Sequence, residues 1–176
     1  MKSLLGQTRI SKGKVVKKSD KEIGKCSPCR SRIDTKCCNH IKTTSTFQNQ
    51  AKSRVFNIFH HVNCKSKNAI YLVECQKCND KPYVGKVEGQ GMNKRLNKHR
   101  NDAKSHNSIP VDRHFLEPGH NFERHFKFTV IEVIDKPNFS KDRTRDLLLH
   151  REDFWIKKLN TMQPYGFNEN LNFPSS

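Results

Sequence analysis

The chain has 176 residues, with 34 Lys and Arg against 17 Asp and Glu, and a formal net charge of +17. Its hydrophobic share of 33% and mean hydropathy of −0.88 are low for a globular protein, and no apolar run approaches the ~18–20 residues needed to cross a bilayer. Lys2, Arg9 and Lys12 interrupt any apolar signal segment after Met1, so membrane and conventionally secreted classes are argued against and an intracellular protein with a modest core is expected.

Residues 1–25 are Lys-rich, with scattered aliphatic side chains and no aromatic one, which predicts a flexible basic arm. Residues 26–67 form a Cys-rich extension with sparse apolar residues (Phe47, Val55, Phe56, Ile58, Phe59), too few to fold without a metal or a docking surface. Residues 1–67 hold 16 Lys and Arg against three acids, +13 of the net charge, and such a segment ordinarily meets a polyanion such as DNA.

From residue 68 the pattern changes to that of a folded domain reaching residue 176. Ala69–Val73 is an apolar run bounded by polar turns and predicts a buried strand; Tyr83–Val87, entered from Pro82, predicts a second one paired with it as a hairpin. After Gly89 and Gly91, Met92–Lys104 is expected to be helical, Pro110–Glu117 a short helix, Phe126–Ile134 a strand, and Asp142–Leu159 the longest helix, ended before Pro164. The order β-β-α-α-β-α makes this an α+β domain.

Few residues in it can carry chemistry. Tyr71 and Tyr83 lie on adjacent strands, where core filling is the plain alternative. Arg95 and His99, at i and i+4, share one helix face; an Arg fork suits a phosphate and His moves protons near neutral pH, against the alternative of a solvated basic face. Glu152 falls beside the inward stripe of Leu148 and Trp155, where a carboxylate needs a cation, either a metal or Arg145 or Arg151. All seven Cys precede residue 79, and an odd number in an intracellular chain argues against a disulfide framework. Cys75 and Cys78 with His114 and His120 offer two thiolates and two imidazoles for a tetrahedral Zn²⁺. Cys26, Cys29, Cys37, Cys38 and His40 are the expected ligands of a second zinc.

Taken in order, Ala69-Ile70-Tyr71, Tyr83-Val84-Gly85, Arg95 with His99, Glu152 and Asn168 resemble the GIY-YIG nuclease superfamily across residues 69–168. With Cys75-x-x-Cys78 between the two Tyr motifs and His114 and His120 downstream, the arrangement resembles more narrowly the C-terminal endonuclease of Penelope-like retroelements. The resemblance implies a small antiparallel three-stranded sheet flanked by helices and a DNA endonuclease that nicks phosphodiesters in the nucleus. It implies Glu152 as holder of Mg²⁺ or Mn²⁺, Arg95 as charge stabiliser, Tyr71 as base or water-positioning group, Tyr83 beside it, His99 as proton relay and Asn168 as the tie of the tail. A reverse transcriptase or retroelement RNA would be the implied partner. The family's first Gly is Ala69 here, a change of one methyl that is expected to be tolerated. The alternative is a catalytically inactive, zinc-dependent nucleic-acid-binding module.

Overall fold

The computed structural model describes residues 23–174 apart from 30–34, 79–80 and 106–107, so most of the expected basic arm lies outside the described residues. Among the described residues the elements are α1 Thr35–Cys38, β1 Thr46–Gln48, β2 Val55–Asn57, β3 Ala69–Cys75, β4 Tyr83–Val87, α2 Met92–Asp102, α3 Pro110–His114, α4 Phe122–His125, β5 Phe126–Val133 and α5 Lys141–Leu159. The α+β class and the expected order stand, with the hairpin β1–β2 and the short α1 and α4 added.

The sheet is antiparallel with strand order β4-β3-β5. β3 is its middle strand and buries both faces, which is why its sequence is a continuous apolar run rather than an alternation. Tyr71 pairs with Gly85 on β4 and with Val130 on β5, and the β3–β5 register shifts between Ile70 and Tyr71. Such an irregularity bends a strand and re-aims its side chains, and here it falls at the first of the two tyrosines.

α5 starts at Ser140, whose hydroxyl accepts from Arg143 N, and ends at Asn160 in the left-handed region (φ 56°). Its buried Leu148, Ile156 and Leu159 pack the helix against β4 and β3. Asp153, also buried, accepts from the backbone N–H groups of Asn172 and Phe173 (2.9 and 2.8 Å) and holds the tail to the helix. α3 stops at His114 instead of Glu117, with Phe115 as its C-cap.

The segment before β3 finds the docking surface its composition calls for. Its backbone runs beside β5, with Lys42 N donating to Phe128 O (2.9 Å) and Phe128 N to His40 O (2.8 Å). Phe47 and Phe56 pack edge-on against Trp155 of α5 (5.1 and 5.6 Å between centroids). Cys26, Ile58 and Val62 are buried in the same core as β3 and β5. No helix among the described residues is long and apolar enough to cross a membrane.

Candidate active site and metal centres

Cross-strand partners of an antiparallel pair share a face of the sheet. Tyr71 on β3 and Gly85 on β4 are such partners, and Tyr83, two residues from Gly85, projects from that face too. A Cβ on Gly85 would lie 2.5 Å from the Tyr71 hydroxyl and 2.8 Å from the Tyr83 ring. Glycine there is what lets the two rings converge, with centroids 6.5 Å apart.

Above them α2 presents Arg95 and His99 from one face. Arg95 Nε donates to the Tyr71 oxygen (2.7 Å), which lies 2.8 Å from His99 Nε2. His99 Nδ1 in turn lies 2.7 Å from Asp112 Oδ1 on α3. The protons follow from this order. Asp112 as a carboxylate only accepts, so His99 carries its hydrogen on Nδ1; Nε2 is then bare and accepts the Tyr71 O–H, while the phenol oxygen accepts from Arg95. The result is a chain Asp112–His99–Tyr71–Arg95 with donors and acceptors matched at each link.

Burial dominates the electrostatics. It raises Tyr71 well above 10.0, with Tyr83 adding to the rise and Arg95 opposing it. It pushes Tyr83 up to about 12, again against Arg95. Burial also lowers His99 below 6.5 although Asp112 favours its charged form, so the resting imidazole is neutral, with Nε2 facing the Tyr71 hydroxyl.

Tyr83 and Glu152 face one cleft of about 180 Å³, with Asn168 and Asn172 at its wall. Glu152 is half-buried and accepts from Asn172 Nδ2 (2.9 Å). Burial raises its pKa above 4.5, opposed by that hydrogen bond and by Lys86, and no Lys or Arg nitrogen pairs with it among the described residues. A hard oxygen donor without a direct ion pair at the edge of a polar cleft fits one divalent ion keeping most of its waters. Asn168 does not point at the phenols. It clamps the tail to β4, accepting from Val84 N (3.0 Å) and Thr161 Oγ1 (2.7 Å) and donating to Val84 O (2.9 Å).

Two Cys-containing clusters accompany the site. The ligand atoms of Cys75, Cys78, His114 and His120 lie within 4.8 Å of one another. Cys78 Sγ is 2.9 Å from His120 Nε2 and 3.5 Å from His114 Nε2, while His114 Nδ1 turns outward to Glu117 (3.1 Å). Imidazoles whose Nε2 atoms converge on thiols, one of them oriented by a carboxylate behind it, have the donor set of a closed tetrahedral metal site. In the second cluster, Cys29 and Cys38 come together as expected and Cys64 joins them, whereas Cys26, Cys37 and His40 fall outside it. Cys26 is bridged to Thr44 and Val62, which turns its thiol under Val130 N (3.4 Å). His40 is engaged by Phe126 O (2.9 Å) and Glu123 (3.1 Å).

Asp112 and Cys64 are the residues that sequence reasoning missed. Each sits in a polar stretch where a carboxylate or a thiol alone carries no signal, and only its contact across the fold gives it a role.

Comparison with known proteins follows the same lines. Residues 67–166 match the family model of the GIY-YIG catalytic domain. Intron-associated endonuclease 1 of Enterobacteria phage T4 is 32% identical over 97 residues, covering 54% of this chain and 34% of that protein, so the chain spans about a third of the curated relative's length. The solved catalytic domain of homing endonuclease I-TevI is 30% identical, covering 58% of this chain and 97% of that one, with a TM-score of 0.43. A point variant of that domain gives 29%, 59%, 94% and 0.45 respectively. Because the family model takes in more than half of the sequence, the chain belongs to the GIY-YIG nucleases, with residues 67–166 as its catalytic domain.

Proposed function

We propose that the protein is a divalent-cation-dependent DNA endonuclease that nicks phosphodiester backbones. The observation that carries this reading is the Tyr71 oxygen, held between Arg95 Nε and His99 Nε2 on the same face as Tyr83 and near the Glu152 cleft. Tyr71 passes its proton to His99 Nε2, and its oxygen takes one from the attacking water. Asp112 steadies the imidazolium that forms, and Arg95 stabilises both the phenolate and the charge growing on the phosphoryl oxygens. Such a relay suits a phenol that burial holds well above its ordinary range, since its oxygen gives up one proton only as it takes another. Glu152 would hold Mg²⁺ or Mn²⁺, which when bound supplies Lewis-acid stabilisation of the phosphate. Tyr83 and Asn168 keep the pocket wall and the tail in place.

Cys75, Cys78, His114 and His120 would hold a structural Zn²⁺ that fastens the β3–β4 connection to α3, the helix of Asp112. This centre, with its two cysteines between the tyrosine motifs and its two histidines downstream, supports placing the chain with the endonucleases of Penelope-like retroelements. In that setting it acts in the nucleus beside a reverse transcriptase and retroelement RNA, and the +17 charge suits contact with nucleic acid.

The rival reading, an inactive zinc-dependent nucleic-acid-binding module, draws on Ala69 where the family has Gly. Ala69 is fully buried in β3, pairs with Val87 and Val133 and has no left-handed backbone, so its methyl is accommodated without strain. Nicking of supercoiled plasmid with Mg²⁺ or Mn²⁺ decides between the readings. Wild type should give open circles, whereas Glu152→Ala and Arg95→Ala should not, with DNA binding retained because binding rests on many phosphate contacts. Absence of metal-dependent nicking by wild type overturns the endonuclease reading.

A further inference from the structure

We propose that Cys29, Cys37, Cys38 and Cys64 form an all-thiolate metal site, suited to Zn²⁺, that sutures the N-terminal segment to the catalytic domain at the start of α2. The proposal is independent of whether the chain cleaves DNA.

The distances are the first argument. Cys29 Sγ and Cys38 Sγ are 3.6 Å apart, and Cys38 Sγ and Cys64 Sγ 3.7 Å. A disulfide would bring a pair to ~2.05 Å. Four sulfurs at ~2.3 Å from one central ion stand ~3.8 Å apart along each tetrahedron edge, and the two measured spacings are close to that edge. The sulfurs of Cys29, Cys38 and Cys64 lie within 4.8 Å of one another; Cys37, buried beside Cys38 and hydrogen-bonded to the Cys64 thiol, stands outside that trio and would turn in as the fourth ligand.

The surroundings are the second. Cys29 N–H points at Cys64 Sγ (3.4 Å), a backbone donor placed where a thiolate accepts it. Cys37 and Cys64 are buried. Thiols this close, with a backbone donor turned toward one of them, are a soft donor set of the kind a thiophilic divalent cation takes.

The third argument is what the site would join. Cys29 and the Cys37–Cys38 pair belong to stretches with little apolar mass, separated from each other by a polar run. Cys64 lies just ahead of β3, and its carbonyl accepts from Asn93 N in the first turn of α2 (3.0 Å). Two residues on, α2 carries Arg95. One ion would thereby tie three segments remote in sequence to the helix end that positions the arginine and His99.

Metal analysis and native mass spectrometry of the full chain, purified without chelator, test this. Wild type should hold two Zn²⁺, Cys64→Ser and Cys38→Ser one, and Cys75→Ser the other one. In Co²⁺-loaded protein the thiolate-to-metal charge-transfer absorption should fall by about two-thirds in Cys64→Ser, since four of six thiolates are lost, and by about one-third in Cys75→Ser. Both wild-type readings stand even where a variant fails to fold. A Cys64→Ser protein that keeps both ions, or a wild type whose single ion is lost with Cys75→Ser, overturns the proposal. A single ion lost with Cys64→Ser alone supports it and removes the Cys75–His120 centre instead.

Discussion

Replacing Gly85 by alanine tests the geometry of the site without removing any reacting group. The added methyl would meet the Tyr71 oxygen at 2.5 Å and its Cζ at 2.6 Å, where ordinary contact begins at 3.4 Å, so the ring must retreat by about 0.9 Å. Tyr71 is fully buried in β3, and its oxygen is fixed at 2.7 Å from Arg95 and 2.8 Å from His99. A shift of that size opens at least one of the two hydrogen bonds. Overpacking of this kind costs about 1–3 kcal/mol of stability, which a folded domain survives, whereas ~1 Å of misplacement at a reacting centre costs roughly 10²-fold in rate. Single-turnover nicking at saturating protein should therefore fall about 100-fold in Gly85→Ala, with DNA affinity kept and a modest drop in Tm. Cleavage at the wild-type rate by a folded Gly85→Ala protein would refute the role given to the Tyr71 oxygen.

Asp112→Ala removes the buried acceptor of His99 Nδ1; a charge-assisted bond worth ~1.5–3 kcal/mol in the transition state corresponds to a roughly 10- to 150-fold loss in single-turnover rate, and Asp112→Asn, which keeps an oxygen, should fall between. Equal rates for all three proteins would remove Asp112 from the relay. His99 is held below its ordinary 6.5, so as pH falls through that value the unfolded chain takes up a proton the folded one refuses, and stability drops. The loss in urea midpoint from about pH 7.5 to about pH 5.5 should be smaller in His99→Gln than in wild type; an equal loss contradicts a neutral buried imidazole. Cys75→Ser should release one metal ion and lower Tm, because a structural ion contributes folding energy directly; an unchanged Tm with both ions retained would break the four-ligand set. Deleting residues 1–22, seven Lys and Arg against Asp20 and Glu22, lowers the net charge by five and should flatten the salt dependence of DNA binding at constant Tm. An unchanged salt slope would show that the arm does not contact phosphates.

What was legible in the sequence was legible for physical reasons. β3 buries both faces, so Ala69–Val73 had to be an unbroken apolar run, and α5 buries a stripe, so Leu148, Ile156 and Leu159 recur at helical spacing. Arg95 and His99 were readable as a pair because helix geometry alone puts i and i+4 on one face. Asp112 was not readable, since its partner His99 lies on another helix and the contact depends on how α2 and α3 meet. Cys26 misled because Cys-x-x-Cys spacing suggests a chelating pair, yet its bridges to Thr44 and Val62 aim the thiol into the core instead. Cys64 was invisible as a ligand because its neighbours in space, Cys29 and Cys38, are 35 and 26 residues away along the chain.

The placement of Asp112 gives a metal away from the reacting centre something to do. α3 has five residues, too short to hold itself as a helix in water, and its own hydrogen bonds cannot fix a carboxylate to within tenths of an ångström. Burying Asp112 costs stability besides, because Oδ2 has no hydrogen-bond partner among the described residues. Two contacts oppose that cost. His99 binds Oδ1 from one side, and two residues further on His114 faces Cys78 and His120. An ion held there would anchor α3 to the turn that follows β3, the strand of Tyr71. Both ends of the proton path would then be referred to one rigid point: the phenol through β3 and the carboxylate through α3. In a chain with only 33% hydrophobic residues, coordination bonds there would add rigidity to what a modest apolar core gives.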